Sequence, residues 1–383
     1  MLFAFATSFS IGLLFFPPLI KILNSLNLSD APGGRKIHKT FTPSMGGIAF
    51  MLSTFIALGI WGWQYPLPDI RYLLGAIALI FFVGFRDDMV ELKAKHKILG
   101  QLVAVILVVV VGDIRIRDFH GFLGVGELHL WFSYGFTAFV LLALTNAFNL
   151  IDGLDGLAST VGLITLALLG SWFYFQGLDS YAVLCFTLFG GVLSFLVYNW
   201  HPAKIFMGDT GSLTLGFALG SLVVAFMDYN AALPAGAPLK FMPSFTMGVV
   251  LLIYPLYDMA RVFTRRIRRG KHPMIADKSH IHHFLMRMGL RHDQVALILG
   301  ATQLVLIAAV LGMSELSDNL ALPILSGVVL LMGYRLDKVT PKYIKKKVLK
   351  SAQEPEKKLA ERRKRRKIKL EKSVLEQDKI NLN

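Results

Sequence analysis

Leu130-Trp-Phe-Ser-Tyr-Gly-Phe-Thr-Ala-Phe-Val-Leu-Leu-Ala-Leu144 is followed, after Thr145, by Asn146-Ala-Phe-Asn-Leu-Ile-Asp-Gly-Leu-Asp-Gly-Leu157. The first part is apolar over most of a bilayer's thickness, which predicts a membrane helix. The second turns polar without losing the apolar pattern. Asn146, Asn149, Asp152 and Asp155 recur every three residues, as a slanted stripe along one side of a helix end. Gly153 and Gly156 then loosen the backbone where that stripe would emerge into water. A helix cap can recruit the same letters. Two carboxylates and two amides at a bilayer edge are nevertheless costly to keep, so the stretch reads as a site.

Composition agrees with a membrane fold. Hydrophobic residues make up 54% of the 383, charged residues only 17%, and mean hydropathy is +0.56; soluble chains carry about 25% charged residues. The single Cys185 lies in an apolar run and offers neither a disulfide framework nor a thiolate metal site. The first twenty residues lack a basic leader and a small-residue cleavage site, and read as a first span.

Apolar segments near 2–20, 45–63, 71–85, 97–112, 130–150, 157–176, 181–199, 211–228, 242–263, 295–312 and 320–336 predict an all-α integral membrane protein, a bundle of about 11 transmembrane helices. No internal repeat is evident, which weighs against an inverted-repeat transporter. Residues 1–336 read as a transmembrane catalytic domain and 337–383 as a basic cytoplasmic tail, either resting on anionic headgroups or solvated. The loop 112–129 alternates polar with apolar around a Gly-rich centre, predicting a short periplasmic β-hairpin.

Only Arg71, Arg115, Arg117 and Lys240, four of the 40 Lys and Arg residues, fall on one side of this topology. That bias puts the other face in the cytoplasm, the N-terminus outside and the C-terminus inside. The net charge of +15 is therefore mostly topology and not a nucleic-acid footprint.

Chemically capable residues crowd the basic face in five loops. Arg35, Lys36 and His38 sit in a Gly/Pro-shaped loop suited to an anion. Adjacent Asp87 and Asp88, followed by Lys97, end an apolar helix; such acids suit magnesium or general-base work. The Asn146–Leu157 stretch is the third. Lys204 and Asp209 lie in Pro202-Ala-Lys-Ile-Phe-Met-Gly-Asp-Thr-Gly-Ser212, directly before a helix whose free N–H groups could cradle phosphate. The fifth runs from Asp258 through Arg265 to His280, His282 and His283; with so many cations nearby, these imidazoles suit phosphate oxygens better than a divalent metal. Together they describe a magnesium-dependent phosphoryl-transfer site on a membrane face.

Arg-Lys-x-His with Pro-x-x-Gly-Gly, the Asp-Asp pair with Lys97, Asn-x-x-Asn-x-x-Asp-Gly-x-Asp-Gly, Phe-Met-Gly-Asp-x-Gly-Ser and His-x-His-His lie in that order. In these the chain, from residue 1 to about 336, resembles the polyprenyl-phosphate N-acetylhexosamine-1-phosphate transferase superfamily (glycosyltransferase family 4). The resemblance implies ten or eleven membrane helices around a cytoplasm-facing active-site cleft, in a bacterial cytoplasmic membrane. It implies transfer of a sugar-1-phosphate from a UDP-N-acetylhexosamine to undecaprenyl phosphate, with magnesium, or manganese in its place. By that resemblance Asp209 would hold the metal together with Asn149, Asp87 would be the base, and Asp88 would support it. Lys97 would contact phosphate, Asp155 the uracil ring, and the fifth loop the diphosphate and sugar. Ile281 interrupts the three consecutive histidines of the muramoyl-pentapeptide branch, so the chain looks more like the UDP-N-acetylglucosamine branch, although Met274 stands where that branch often has Phe.

The expected chemistry is one in-line attack by the lipid phosphate; a route through an aspartyl intermediate stays open. A prenyltransferase would need two Asp-x-x-x-Asp motifs, and a nucleotide-sugar or anion transporter would place its ionisable residues near mid-membrane. A homodimer through a lipid-facing helix pair is compatible with a bundle of this size.

Overall fold

The computed structural model describes residues 1–26, 29–30, 42–270, 272 and 280–343. Its helices are α1 (Leu2–Ser25), α2 (Gly47–Trp61), α3 (Arg71–Met89), α4 (Ala94–Ile106), α5 (Leu130–Ile151), α6 (Leu157–Phe175), α7 (Asp179–Asn199), α8 (Gly208–Ala232), α9 (Ser244–Leu251), α10 (Ile253–Arg268), α11 (Ile281–Arg287) and α12 (His292–Leu311), with α13 (Asp318–Tyr343) last. A π turn, Leu107–Val111, extends α4. Among the described residues, 10 helices are long and apolar enough to cross a membrane, and the bent pair α9–α10 brings the number to 11. Each coincides with one apolar segment of the sequence, and the chain is an all-α, multi-pass integral membrane protein.

Centrally placed α8 is buried along its whole apolar stretch. It can sit there because Gly211, Gly216 and Gly220 let neighbouring side chains close on its backbone. Strands are few: β1 (Ser29–Asp30) pairs with β2 (Thr42–Pro43), and β3 (Asp118–Phe122) with β4 (Val125–Glu127). The latter is the expected hairpin. Asn319 pins it to α13, accepting from the Leu123 N–H and donating to the Gly121 carbonyl, each at 2.8 Å.

α13 runs to Tyr343, past the boundary expected at 336. Its Asp337 is paired with Arg261 and lies 3.6 Å from Arg265, and its Thr340 is buried. The transmembrane unit therefore includes the start of what reads as tail, because Asp337, half-buried, anchors that turn to the buried Arg261 of α10. The basic stretch 344–383 lies outside the described residues.

The ninth span is not one rod. α9 and α10 meet at 79°, for a reason present in the letters. Pro255 has no N–H to give the carbonyl four residues back, and its ring crowds it. That carbonyl, of Leu251, instead accepts from Thr165 Oγ1 and Gln303 Nε2, both at 2.8 Å. In α1 the Leu13 carbonyl orphaned by Pro17 takes the Tyr198 hydroxyl at 3.2 Å. Membrane helices tolerate proline where a neighbour supplies the missing donor. Gln303→Leu, nearly isosteric, is expected to lower stability in detergent by about 1 kcal/mol. An unchanged thermal midpoint would show that the break is held some other way.

Bonds between helix ends and loops sort the chain into two ends. At one end the Ser180 hydroxyl donates to the Pro66 carbonyl (2.9 Å), the Trp172 indole to Leu239 (2.9 Å), and Arg117 pairs with Asp228. Among the described residues, the opposite end holds Asp87, Lys97, Asn149 and Asp209.

Candidate active site

Four helix ends meet around one ammonium. Asp87, in the last turn of α3, accepts the Leu92 N–H on Oδ1 (2.6 Å) and pairs through Oδ2 with Lys97 Nζ (2.8 Å). The same Nζ lies 3.1 Å from Asp209 Oδ2 in the first turn of α8. Asn149, near the end of α5, donates its amide to Asp209 Oδ1 and, at 2.7 Å, to Ser212 Oγ. Asp87, Lys97, Asn149 and Asp209 are thus in direct contact, although 122 positions separate the first from the last.

Asp88 faces elsewhere. Its Oδ1 accepts the Asp209 N–H at 2.8 Å; its Oδ2 accepts the Thr210 N–H at 2.8 Å and the Thr210 hydroxyl at 2.5 Å. These are the N–H groups at the start of α8 that the sequence offers to a phosphate. They are not available to one, because a carboxylate from α3 already caps them. The contacts of Asp88 make it the anchor of α8. Its approach needs glycine: a Cβ on Gly84 would lie 2.5 Å from the Asp209 carbonyl oxygen, and Gly208, at φ +73°, packs against Asp88.

The end of the first loop docks on the same motif, with the Gly46 N–H on the Phe206 carbonyl (2.8 Å) and the Gly47 N–H on Met207 (2.9 Å). Arg35, Lys36 and His38 lie outside the described residues.

The stripe predicted along α5 does not persist. The helix ends at Ile151, and Asp152, at ψ 37°, turns the chain. Asn146 points below the site to Gln101, donating to its Oε1 at 2.8 Å. Asp152 stays close: desolvation, then Asp209, Asp88 and Asp155, push its carboxyl well above the usual carboxylate range. Asp155 swings away and is buried against His201 Nδ1 at 2.7 Å and His292 Nδ1 at 3.2 Å. Lys204 is exposed, its ammonium 6.0 Å from the Tyr198 ring centroid.

A third group closes the far wall. Asp258 of α10, fully buried, holds His280 Nδ1 at 2.7 Å and the Ile281 N–H at 2.8 Å, fixing the start of α11. His282 Nδ1 is 3.3 Å from the Tyr254 hydroxyl, and its Nε2 is 3.4 Å from where a Cβ on Gly153 would stand. That contact joins the histidines to the turn carrying Asp152. The His283 ring lies 4.4 Å from that of His282 and is tilted to it by 50°, and Arg265 lies over the Phe284 ring, 4.9 Å from its centroid.

Burial pushes His282 down to about 3 from its ordinary 6.5, with His283 adding to the effect. The unfolded chain therefore binds this proton between about pH 6.5 and 3 while the folded one does not, so stability falls as pH drops through that window. His282→Gln is expected to flatten the acid limb of a stability–pH profile measured in detergent. An unchanged limb would mean that His282 is protonated in the fold.

Sequence reading missed Asp258 as the holder of His280, and gave no role to Tyr254, His201, His292 or Gln101. Of these, only Gln101, a polar residue inside an apolar span, carries a local signal.

The acids around Lys97 outnumber it. Asp87, Asp152 and Asp209 lie together at this end, and the Asp209 side chain is the more exposed (32%, against 5% for Asp87). Such a set of hard oxygen donors with an excess of negative charge fits a divalent cation. The histidines, joined to this group through the Gly153 turn, fit phosphate oxygens.

Residues 70–227 match the family model of glycosyl transferase family 4. A probable undecaprenyl-phosphate N-acetylglucosaminyl 1-phosphate transferase of Bacillus subtilis (strain 168) is 34% identical over 298 residues, 77% of this chain and 80% of the relative. Undecaprenyl-phosphate alpha-N-acetylglucosaminyl 1-phosphate transferases of Yersinia pestis and Escherichia coli O157:H7 are 30% and 29% identical; the alignments cover 79% and 78% of this chain, and 81% and 78% of the relatives. On that extent of likeness the chain belongs to glycosyl transferase family 4.

Proposed function

We propose that this protein transfers N-acetylglucosamine-1-phosphate from UDP-N-acetylglucosamine to undecaprenyl phosphate, releasing UMP and starting a lipid-linked envelope glycan. The observation that carries the reading is the Asp87–Lys97–Asp209–Asn149 cluster at the basic end of the bundle, in a chain whose relatives are named for this activity. His280-Ile-His-His, without a third consecutive histidine, supports the N-acetylglucosamine branch over the muramoyl-pentapeptide one. The cation bias supports a bacterial inner membrane with this end in the cytoplasm.

The reaction forms a bond from a lipid-phosphate oxygen to the sugar-linked phosphorus and breaks that phosphorus's bond to the oxygen of UMP. Asp209, with Asn149 and Asp152 beside it, would hold magnesium, which when bound neutralises diphosphate oxygens. Lys97 is held by two carboxylates in a fixed place, where its charge can offset that of the incoming phosphate. Asp87, nearly buried and locked by Lys97 and the Leu92 N–H, positions that lysine. Such burial disfavours Asp87 as a covalent nucleophile and supports direct attack. His282, neutral and aimed at the Gly153 turn, can donate a hydrogen bond to a phosphate oxygen.

The test uses full-length protein in detergent with undecaprenyl phosphate, magnesium and a panel of UDP-N-acetylhexosamines. Release of UMP with a lipid-diphosphate N-acetylglucosamine product is expected. No UMP from any of these donors would overturn the proposal.

A further inference from the structure

Apart from the Lys97 cluster, three chain segments bring metal-ligand chemistry to one point. Asp155 comes from the turn between α5 and α6, His201 from the loop between α7 and α8, and His292 from the first residue of α12. One ligand atom from each lies within 4.8 Å of the others. Both imidazoles turn Nδ1 toward the same oxygen, Asp155 Oδ2, at 2.7 Å from His201 and 3.2 Å from His292. The rings lie 4.7 Å apart between centroids and are tilted by 33°.

We propose that Asp155, His201 and His292 bind a transition-metal ion of the zinc class, in a site separate from the carboxylate set around Asp209. Two imidazoles and one carboxylate favour zinc, cobalt or nickel over magnesium, which prefers oxygen donors. Bonds of roughly 2.0–2.1 Å in a tetrahedron set ligand atoms about 3.3 Å apart. The His292–Asp155 spacing already matches, and the His201–Asp155 spacing needs to open by about half an ångström. His201 is the ligand able to yield, because it lies on a loop with its side chain 30% exposed. Asp155 and His292 form a buried wall, so the ion enters past His201 and keeps one position for water. Once bound it ties the α5–α6 turn to α12. The inference does not depend on the transferase reading.

Full-length, tag-free protein stripped with chelator is titrated with cobalt(II), followed by visible absorption, and then with zinc. The expected result is one equivalent of cobalt with tetrahedral bands, displaced by zinc. Removing even an outer-shell partner of a metal site costs about 10–100-fold in affinity. His201→Gln and His292→Gln are therefore each expected to weaken zinc binding by at least ~10-fold, and His282→Gln to leave it unchanged. Equal binding by wild type and His201→Gln would overturn the site, and so would loss of binding in His282→Gln. If either triad variant fails to fold, X-ray absorption on the wild-type cobalt protein decides: an ion with fewer than two imidazoles refutes the proposal.

Discussion

Asp209→Asn is expected to lower UMP release on the order of 10³-fold while the protein still folds, because fold and chemistry use different atoms of this residue. The backbone N–H of Asp209 is held by Asp88 and anchors α8. Its side chain meets Lys97 and Asn149 and is about one-third exposed (32%). An amide of the same shape keeps the first role and loses the second, since a neutral group cannot offset a cation or hold the ammonium from one side. It also removes one charge from a crowd of acids that includes Asp152, so stability should not suffer. UMP release and a thermal midpoint measured on the same preparation check both halves. More than a tenth of wild-type turnover would remove Asp209 from the chemistry.

Asp88→Ala should behave in the opposite sense, losing stability first and activity as a consequence. Its carboxylate satisfies two N–H groups and one hydroxyl where α8, the most buried helix, begins. Hydrogen bonds to a charged acceptor contribute roughly 1.5–3 kcal/mol, and orphaned buried donors add a penalty, so a loss of about 3 kcal/mol is expected. Asp88→Asn retains one acceptor oxygen and should fall between. Denaturation in mixed micelles would read the difference. If Asp88→Ala were as stable as wild type but inactive, Asp88 would be acting at the reacting atoms and not as a cap.

The two adjacent acids show what sequence can and cannot convey. Asp87 and Asp88 announce a costly charge at a helix end, but consecutive residues on a helix point about 100° apart. One therefore meets Lys97 and the other the start of α8, and nothing local says which. The i, i+3 stripe from Asn146 to Asp155 was legible only while the chain remained helical; the turn at Asp152 sends Asp155 to a different partner set. Spans were legible because apolar length is a local property. The 79° break was legible too, in Pro255, but where α10 then points depends on Thr165 and Gln303 from other helices. Asp258, His201 and His292 acquire meaning only through partners 22 to 137 positions away.

The most direct test of the shared pocket is an experimental structure of the full chain with UDP-N-acetylglucosamine and magnesium bound. The diphosphate should lie between Asp209 with Lys97 on one side and His282 on the other, with the metal on Asp209. Donor density at the opposite end of the bundle, or at this end but away from Asp209, would contradict the account.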